Sequence, residues 1–179
     1  MTETPPEQPK RPKPSRRRRA LSWGIQIGLA LVIFLAVRAW MARDMVEGPA
    51  PQFEAHLLDG TPVSLADYAD EPMLLHFWAT WCPICRLEAG EIVRLSQGHP
   101  VLTVAMQSGV DEELLEHMTE QERELAVIND PEGALAARYN VRGVPASFII
   151  TPDGEIVFRK QGYAPPLELR LRLWLARWL

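Results

Sequence analysis

Hydrophobic positions along this 179-residue chain change their period several times, and each change marks an element. From Ala20 to Val37 the chain is apolar apart from Ser22 and Gln26, with no polar stripe. At 1.5 Å per residue, Ala20 to about Met41 can cross a hydrocarbon core of roughly 30 Å. Trp23 and Trp40 stand near its ends, where indole rings settle at a membrane interface. Short apolar runs come next. Phe53 to Leu58 and Pro62 to Leu65 read as strands joined at Asp59-Gly60, a hairpin signal. Met73 to Trp78 reads as a buried strand, and Val101 to Met106 and Leu125 to Ile128 as two more. Helical spacing appears between them: Leu87, Ile92 and Leu95 within Arg86 to Leu95, then Leu114, Leu115 and Met118 within Asp111 to Glu124. Pro131 to Tyr139 comes after the cap-like pair Asn129-Asp130 and reads as a helix. Ser147 to Ile150 and Glu155 to Arg159 flank Pro152-Asp153-Gly154 as an antiparallel hairpin, and Leu167 to Leu179 closes the chain as an amphipathic basic helix.

No internal repeat is evident, and the alternation of strand and helix implies an α/β fold with parallel crossovers and a terminal hairpin. Composition divides the chain into four parts: a disordered basic tail over 1–19, a membrane anchor over 20–41, a linker over 42–51 containing Gly48-Pro49-Ala50-Pro51, and one domain over 52–179.

Charge changes this picture in two ways. Arg16 to Arg19 outnumber the downstream Arg38 and Arg43, which keeps the N-terminus in the cytoplasm and exports the rest of the chain beyond Arg43. A cleaved signal peptide is the competing reading, with Val37-Arg38-Ala39 as a poor cleavage site; the length of the apolar stretch favours an uncleaved anchor. The net charge of −4 also hides a split: nine Lys and Arg against two Asp and Glu up to Arg43, ten against twenty-one beyond it. So acidic an exported domain argues against nucleic acid as a partner.

The candidate chemistry is concentrated in Phe77-Trp78-Ala79-Thr80-Trp81-Cys82-Pro83-Ile84-Cys85, which holds both cysteines at C-x-x-C spacing where a strand runs into a helix. A structural zinc site would need four ligands, and His56, His99 and His117 are scattered singly. A structural disulfide, which would close only a short loop, is the other alternative; the strand-to-helix setting favours a reversible dithiol. At a helix N-terminus, unpaired N–H groups favour a thiolate, so Cys82 is expected to be the accessible, attacking sulfur and Cys85, one turn in, the shielded resolving one. Glu88, a further turn on, shares a face with Cys85 and is either a proton exchanger or a solvated helix charge.

These motifs, with Gly143-Val144-Pro145 and Asp153-Gly154, resemble the thioredoxin superfamily, specifically its membrane-tethered exported members of the TlpA and ResA type. Within that group the chain is most similar to the disulfide oxidoreductase D proteins of bacterial copper-sensitivity suppressor operons. The resemblance covers nearly all of Phe53 to Leu179. It implies a thioredoxin fold with a central mixed sheet flanked by helices, carrying here an N-terminal β-hairpin extension and a single transmembrane anchor helix. It further implies a cis Pro145, with the Val144 backbone facing the dithiol to pair with an extended substrate, and an active-site role for Glu88. Trp78 is expected to floor the site and Trp81 to form its exposed rim. Two positions depart from the pattern. His76 replaces the buried aspartate of thioredoxin proper and is either a proton relay or a satisfied core histidine. Ala146 stands where many relatives carry threonine, which leaves the substrate range open.

The function so implied is thiol–disulfide exchange on exported proteins, in the reducing direction of most tethered relatives, on the periplasmic side of the inner membrane. Two cysteines cannot recharge themselves, so a transmembrane electron donor of the DsbD type is the expected partner. No cofactor and no resident metal is called for. Cu(I) binding by the same dithiol is the alternative, because soft cations favour thiolates, although no Met-rich or His-rich cluster accompanies Cys82. A thiol peroxidase would need its cysteine in a different motif.

Overall fold

The computed structural model describes residues 16–42, 44–121 and 124–179, with side chains described over 23–37 of the first stretch. The chain divides into two compact units, Met1–Ala39 and Trp40–Leu179. Most of α1 (Arg16–Ala42), one continuous helix of 27 residues whose described side chains are all exposed, lies in the first. It starts four residues ahead of the expected span. The stretch of α1 whose side chains are described, 23–37, rises only about 22 Å against a hydrocarbon core of roughly 30 Å, and among the described residues no helix is long and apolar enough to cross a membrane. The tail expected over 1–19 lies outside the described residues as far as residue 15.

Among the described residues the second unit holds eight strands: β1 (Gly48–Pro49), β2 (Glu54–His56), β3 (Pro62–Ser64), β4 (Met73–Trp78), β5 (Val101–Met106), β6 (Ala126–Asp130), β7 (Ala146–Ile150) and β8 (Glu155–Gln161). Six form a sheet in the order β1-β8-β7-β4-β5-β6, while β2 and β3 pair only with each other. β4, β5 and β6 are parallel; β7 is antiparallel to β4, and β8 to β7, which makes the sheet mixed as expected. β4 is central, and all six of its residues are buried because helices cover both faces. Its alternation sends Met73, Leu75 and Phe77 to one face, against Phe148 and Tyr139. Leu74, His76 and Trp78 point to the other.

Among the described residues the unit adds four α-helices, α2 (Pro83–Ser96), α3 (Asp111–Glu120), α4 (Ala134–Arg138) and α5 (Pro166–Ala176), and a single 3-10 turn at Leu65–Tyr68. α2 and α5 share a core with Leu74 and Ile149, α3 adds Leu114 and Met118 beside Trp78, and α4 covers the opposite face with Leu135 and Ala136.

Three expectations are corrected. The stretch assigned as a linker over 42–51 belongs in part to the fold: Met45 and Ala50 are buried, and β1 pairs with β8 at the sheet edge. Pro49 is tolerated there because an edge strand need not donate on its outer side. α4 begins at Ala134 rather than at Pro131, because Gly133 takes a left-handed φ of 73° and the Asp130 carboxylate accepts from the Leu135 and Ala136 N–H groups. α5 is not amphipathic in the expected sense. It buries Leu169, Leu173 and Ala176 yet exposes Leu167, Leu171, Trp174 and Leu175 on its outer side.

Candidate active site

β4 ends at Trp78, and Ala79-Thr80-Trp81 carries the chain into α2. Cys82 is the N-cap of α2, with extended φ and ψ of −89° and 110°, and Pro83 opens the first turn, where its missing N–H costs nothing. Cys82 and Cys85 form a disulfide with Cα atoms 5.3 Å apart, within the range such a bridge requires. The Cys85 N–H donates to Cys82 Sγ at 3.1 Å. Once reduced, Cys82 therefore sits where helix N–H groups stabilise a negative sulfur.

The Val144–Pro145 peptide is cis, as the resemblance implied, and the Val144 carbonyl oxygen lies 3.7 Å from Cys82 Sγ. In the disulfide this is a contact, since the sulfur carries no proton; a Cys82 thiol would donate there. The expected contrast in exposure between the two cysteines is absent in this oxidised form, where they are 4% and 3% exposed. They differ in what they face. Cys82 meets the Val144 carbonyl, whereas Cys85 lines a small interior cavity with His76, Trp78 and Thr103.

Trp81 is exposed as expected, and its indole N–H donates to the Gln107 carbonyl at 2.9 Å. The Thr80 N–H donates to Ser108 Oγ at 3.1 Å, and that hydroxyl donates to the Met106 carbonyl. The loop after β5 thus fixes the loop before Cys82. Sequence reasoning missed Gln107 and Ser108; the available signal was a polar break, Gln107-Ser108-Gly109, at the C-terminal end of a strand parallel to β4. Ile84 and Leu87 on α2 are exposed as well, so the surface beside Cys82 is apolar.

His76 is buried, and its Nδ1 lies 3.0 Å from Ser147 Oγ, the neighbour a core histidine needs. Burial lowers its pKa to about 4, so the imidazole is neutral near pH 7. Glu88 is also buried, which removes the solvated-charge reading. Burial raises its pKa to about 7, against the opposing pull of the Ala164 N–H and of Lys160. Its Oε1 accepts from the Ala164 N–H at 2.6 Å, while Oε2 is buried without a partner. Glu88 lines a different cavity from Cys85, one walled by Tyr163, Ala164 and Leu169 between α2 and α5. Ala164 is the second contributor that the sequence did not reveal. A cleft of about 1000 Å³ lies between the β2–β3 hairpin and α3, and no residue of the dithiol loop lines it.

Comparison with known proteins supplies the family. The model of the AhpC/TSA family matches residues 46–159. The chain belongs to the AhpC/TSA family. The thiol:disulfide interchange protein DsbE of Escherichia coli strain K12 is 31% identical over 168 residues, covering 82% of this chain and 87% of that protein. The pneumococcal exposed lipoprotein thioredoxin of Streptococcus pneumoniae superposes with a TM-score of 0.65 at 25% identity, covering 70% of this chain and 99% of that one. A secreted disulfide oxidoreductase of Mycobacterium tuberculosis superposes with a TM-score of 0.60 at 26% identity, over 69% and 96%. This AhpC/TSA family member therefore has a thioredoxin-like fold, and its activity is that of a protein-disulfide oxidoreductase.

Proposed function

We propose that the protein reduces or rearranges disulfides of exported proteins from a domain tethered to the inner membrane by α1, as in the copper-sensitivity suppressor D type. The Cys82 thiolate attacks a substrate disulfide, forming a mixed disulfide and expelling one substrate thiolate, which takes up a proton. Cys85 then loses its proton and attacks Cys82 Sγ, which frees the second substrate thiol and leaves the Cys82–Cys85 disulfide. Glu88 is proposed to take the Cys85 proton, being one helical turn away on α2 with a pKa near neutrality. Val144, before Pro145, offers its backbone to an extended substrate, and Trp81 offers an apolar plane beside the sulfur. Each turnover costs the site two electrons, which a transmembrane dithiol donor of the DsbD type would return.

The observation that carries this reading is the position of Cys82 Sγ, between the Cys85 N–H at the start of α2 and the Val144 carbonyl. A Cys85→Ala variant expressed as the full chain is expected to accumulate mixed disulfides between Cys82 and exported proteins, readable by mass spectrometry. A tight Cu(I) complex in a protein that exchanges with no thiol partner would overturn the enzyme in favour of a copper binder. The anchor rests on the apolar length from Ala20 to Met41 and on Arg16 to Arg19. Fractionation is expected to recover the chain with membranes, and an exported form starting near Trp40 would instead mean cleavage.

A further inference from the structure

α5 carries two apolar sides, and among the described residues only one of them packs against the rest of the fold. At 100° per residue, Leu169, Leu173 and Ala176 face the core, where all three are buried. Leu167, Leu171, Trp174, Leu175 and Trp178 fall on the opposite side and are between 42% and 78% exposed. Trp174 and Trp178 meet edge to face, with ring centroids 6.5 Å apart. A surface helix needs one apolar stripe, and a second contiguous one that includes two tryptophans marks an interaction surface. The same helical angles set Arg170 and Arg177 along one flank of the outer stripe and Arg172 along the other. Arg177 reaches Glu71 at 3.1 Å, the Arg172 guanidinium lies over the Phe158 ring, and Glu168 is paired with Lys160. Tryptophan and leucine on the outside with arginine along the flanks is the composition of a helix that lies in a membrane interface.

Two observations favour a bilayer over other occupants. The first is chain length: Met45 is already buried in the domain, three residues after α1 ends at Ala42, and three extended residues reach at most about 11 Å. With α1 spanning the membrane, the reading on which this inference rests, the domain is held against the bilayer surface. The second is charge. Residues beyond Arg43 carry ten Lys and Arg against twenty-one Asp and Glu, yet α5 carries Arg170 and Arg172 against Glu168 alone, followed by Arg177. We infer that the outer face of α5 docks into the headgroup layer of the membrane that α1 spans, with Trp174 and Trp178 at the headgroup–acyl boundary and the exposed Arg170 and Arg172 on lipid phosphates. α5 packs on α2, the helix that Cys82 caps, so docking would fix how the dithiol is presented relative to the membrane.

The test uses the full chain in phosphatidylcholine/phosphatidylglycerol vesicles, with the photo-crosslinking residue p-benzoylphenylalanine replacing Leu171 in one sample, Leu31 in a second and the exposed Glu112 on α3 in a third. Lipid adducts, read by mass, are expected at 31 and 171 and not at 112. A Trp174→Ser/Trp178→Ser double variant is expected to lose the adduct at 171 while keeping the one at 31 and its thiol–disulfide exchange. A lipid adduct at 31 with none at 171, or with a crosslink from 171 to a second copy of the chain, overturns the docking and leaves the anchor standing. A lipid adduct at neither position overturns both.

Discussion

Glu88 and His76 are both buried ionisable groups, and they tilt the pH dependence of stability in opposite directions. The pKa of Glu88 rises from 4.5 to about 7 on folding, so between those values the native state binds more protons than the unfolded one. Its contribution is fully present below pH 4.5 and is lost as pH rises through 7, by up to about 3 kcal/mol at roughly 1.4 kcal/mol per unit. Glu88→Gln keeps an oxygen for the Ala164 N–H and removes the charge. The variant is expected to match the parent near pH 4.5 and to exceed it at pH 8, as urea unfolding at the two pH values will show. Its exchange rate is expected to fall and to lose an inflection near pH 7; an unchanged profile would leave Glu88 with a structural role only. For His76 the sign reverses. Its pKa falls from 6.5 to about 4, so its contribution is present above pH 6.5 and is lost as pH falls towards 4. His76→Asn, which can still pair with Ser147, is expected to be less acid-labile than the parent over that window, again by up to about 3 kcal/mol.

At the scale of elements, legibility in the sequence came from period and punctuation. β4, β5 and β7 are short, fully buried runs with nothing polar to confuse them except His76, Thr103 and Ser147, and each lies within about a residue of its expected bounds. The dithiol turn was legible because a strand, C-x-x-C and a helical pattern succeed one another without a gap. β1 was not legible: Gly48-Pro49 has linker composition, and only its pairing with β8, more than a hundred residues away, makes it a strand. The start of α4 depends on the left-handed Gly133 and on a carboxylate reaching forward from Asp130, neither of which leaves a periodic trace. Within the site, Gln107, Ser108 and Ala164 act through backbone groups and one hydroxyl, so residue type said little about them. The segment leading into the edge strand gives a direct check. Met45 is 3% exposed, and Met45→Ala is expected to cost about 2 to 4 kcal/mol in chemical unfolding of the domain. A linker residue would cost nothing measurable.

For the whole molecule the question is the direction of electron flow, and burial of the disulfide bears on it. Cys82 and Cys85 are packed with Trp78, Ala79, Ala105 and Leu114, so the uncharged disulfide suits its surroundings. Reduction places a thiolate in the same apolar packing, where desolvation disfavours the charge and works against the stabilisation offered by the start of α2. A strong oxidant needs the opposite balance, a reduced form more stable than its disulfide. The Cys82–Cys85 couple is therefore expected to lie nearer the thioredoxin value of about −270 mV than the value of about −120 mV typical of a strong oxidant. Equilibration of the full chain with dithiothreitol buffers, then alkylation and mass analysis, measures it directly. A potential close to −120 mV would reverse the proposed direction: the two sulfurs would then donate their disulfide to exported thiols, and the membrane partner would have to remove electrons from the site rather than supply them.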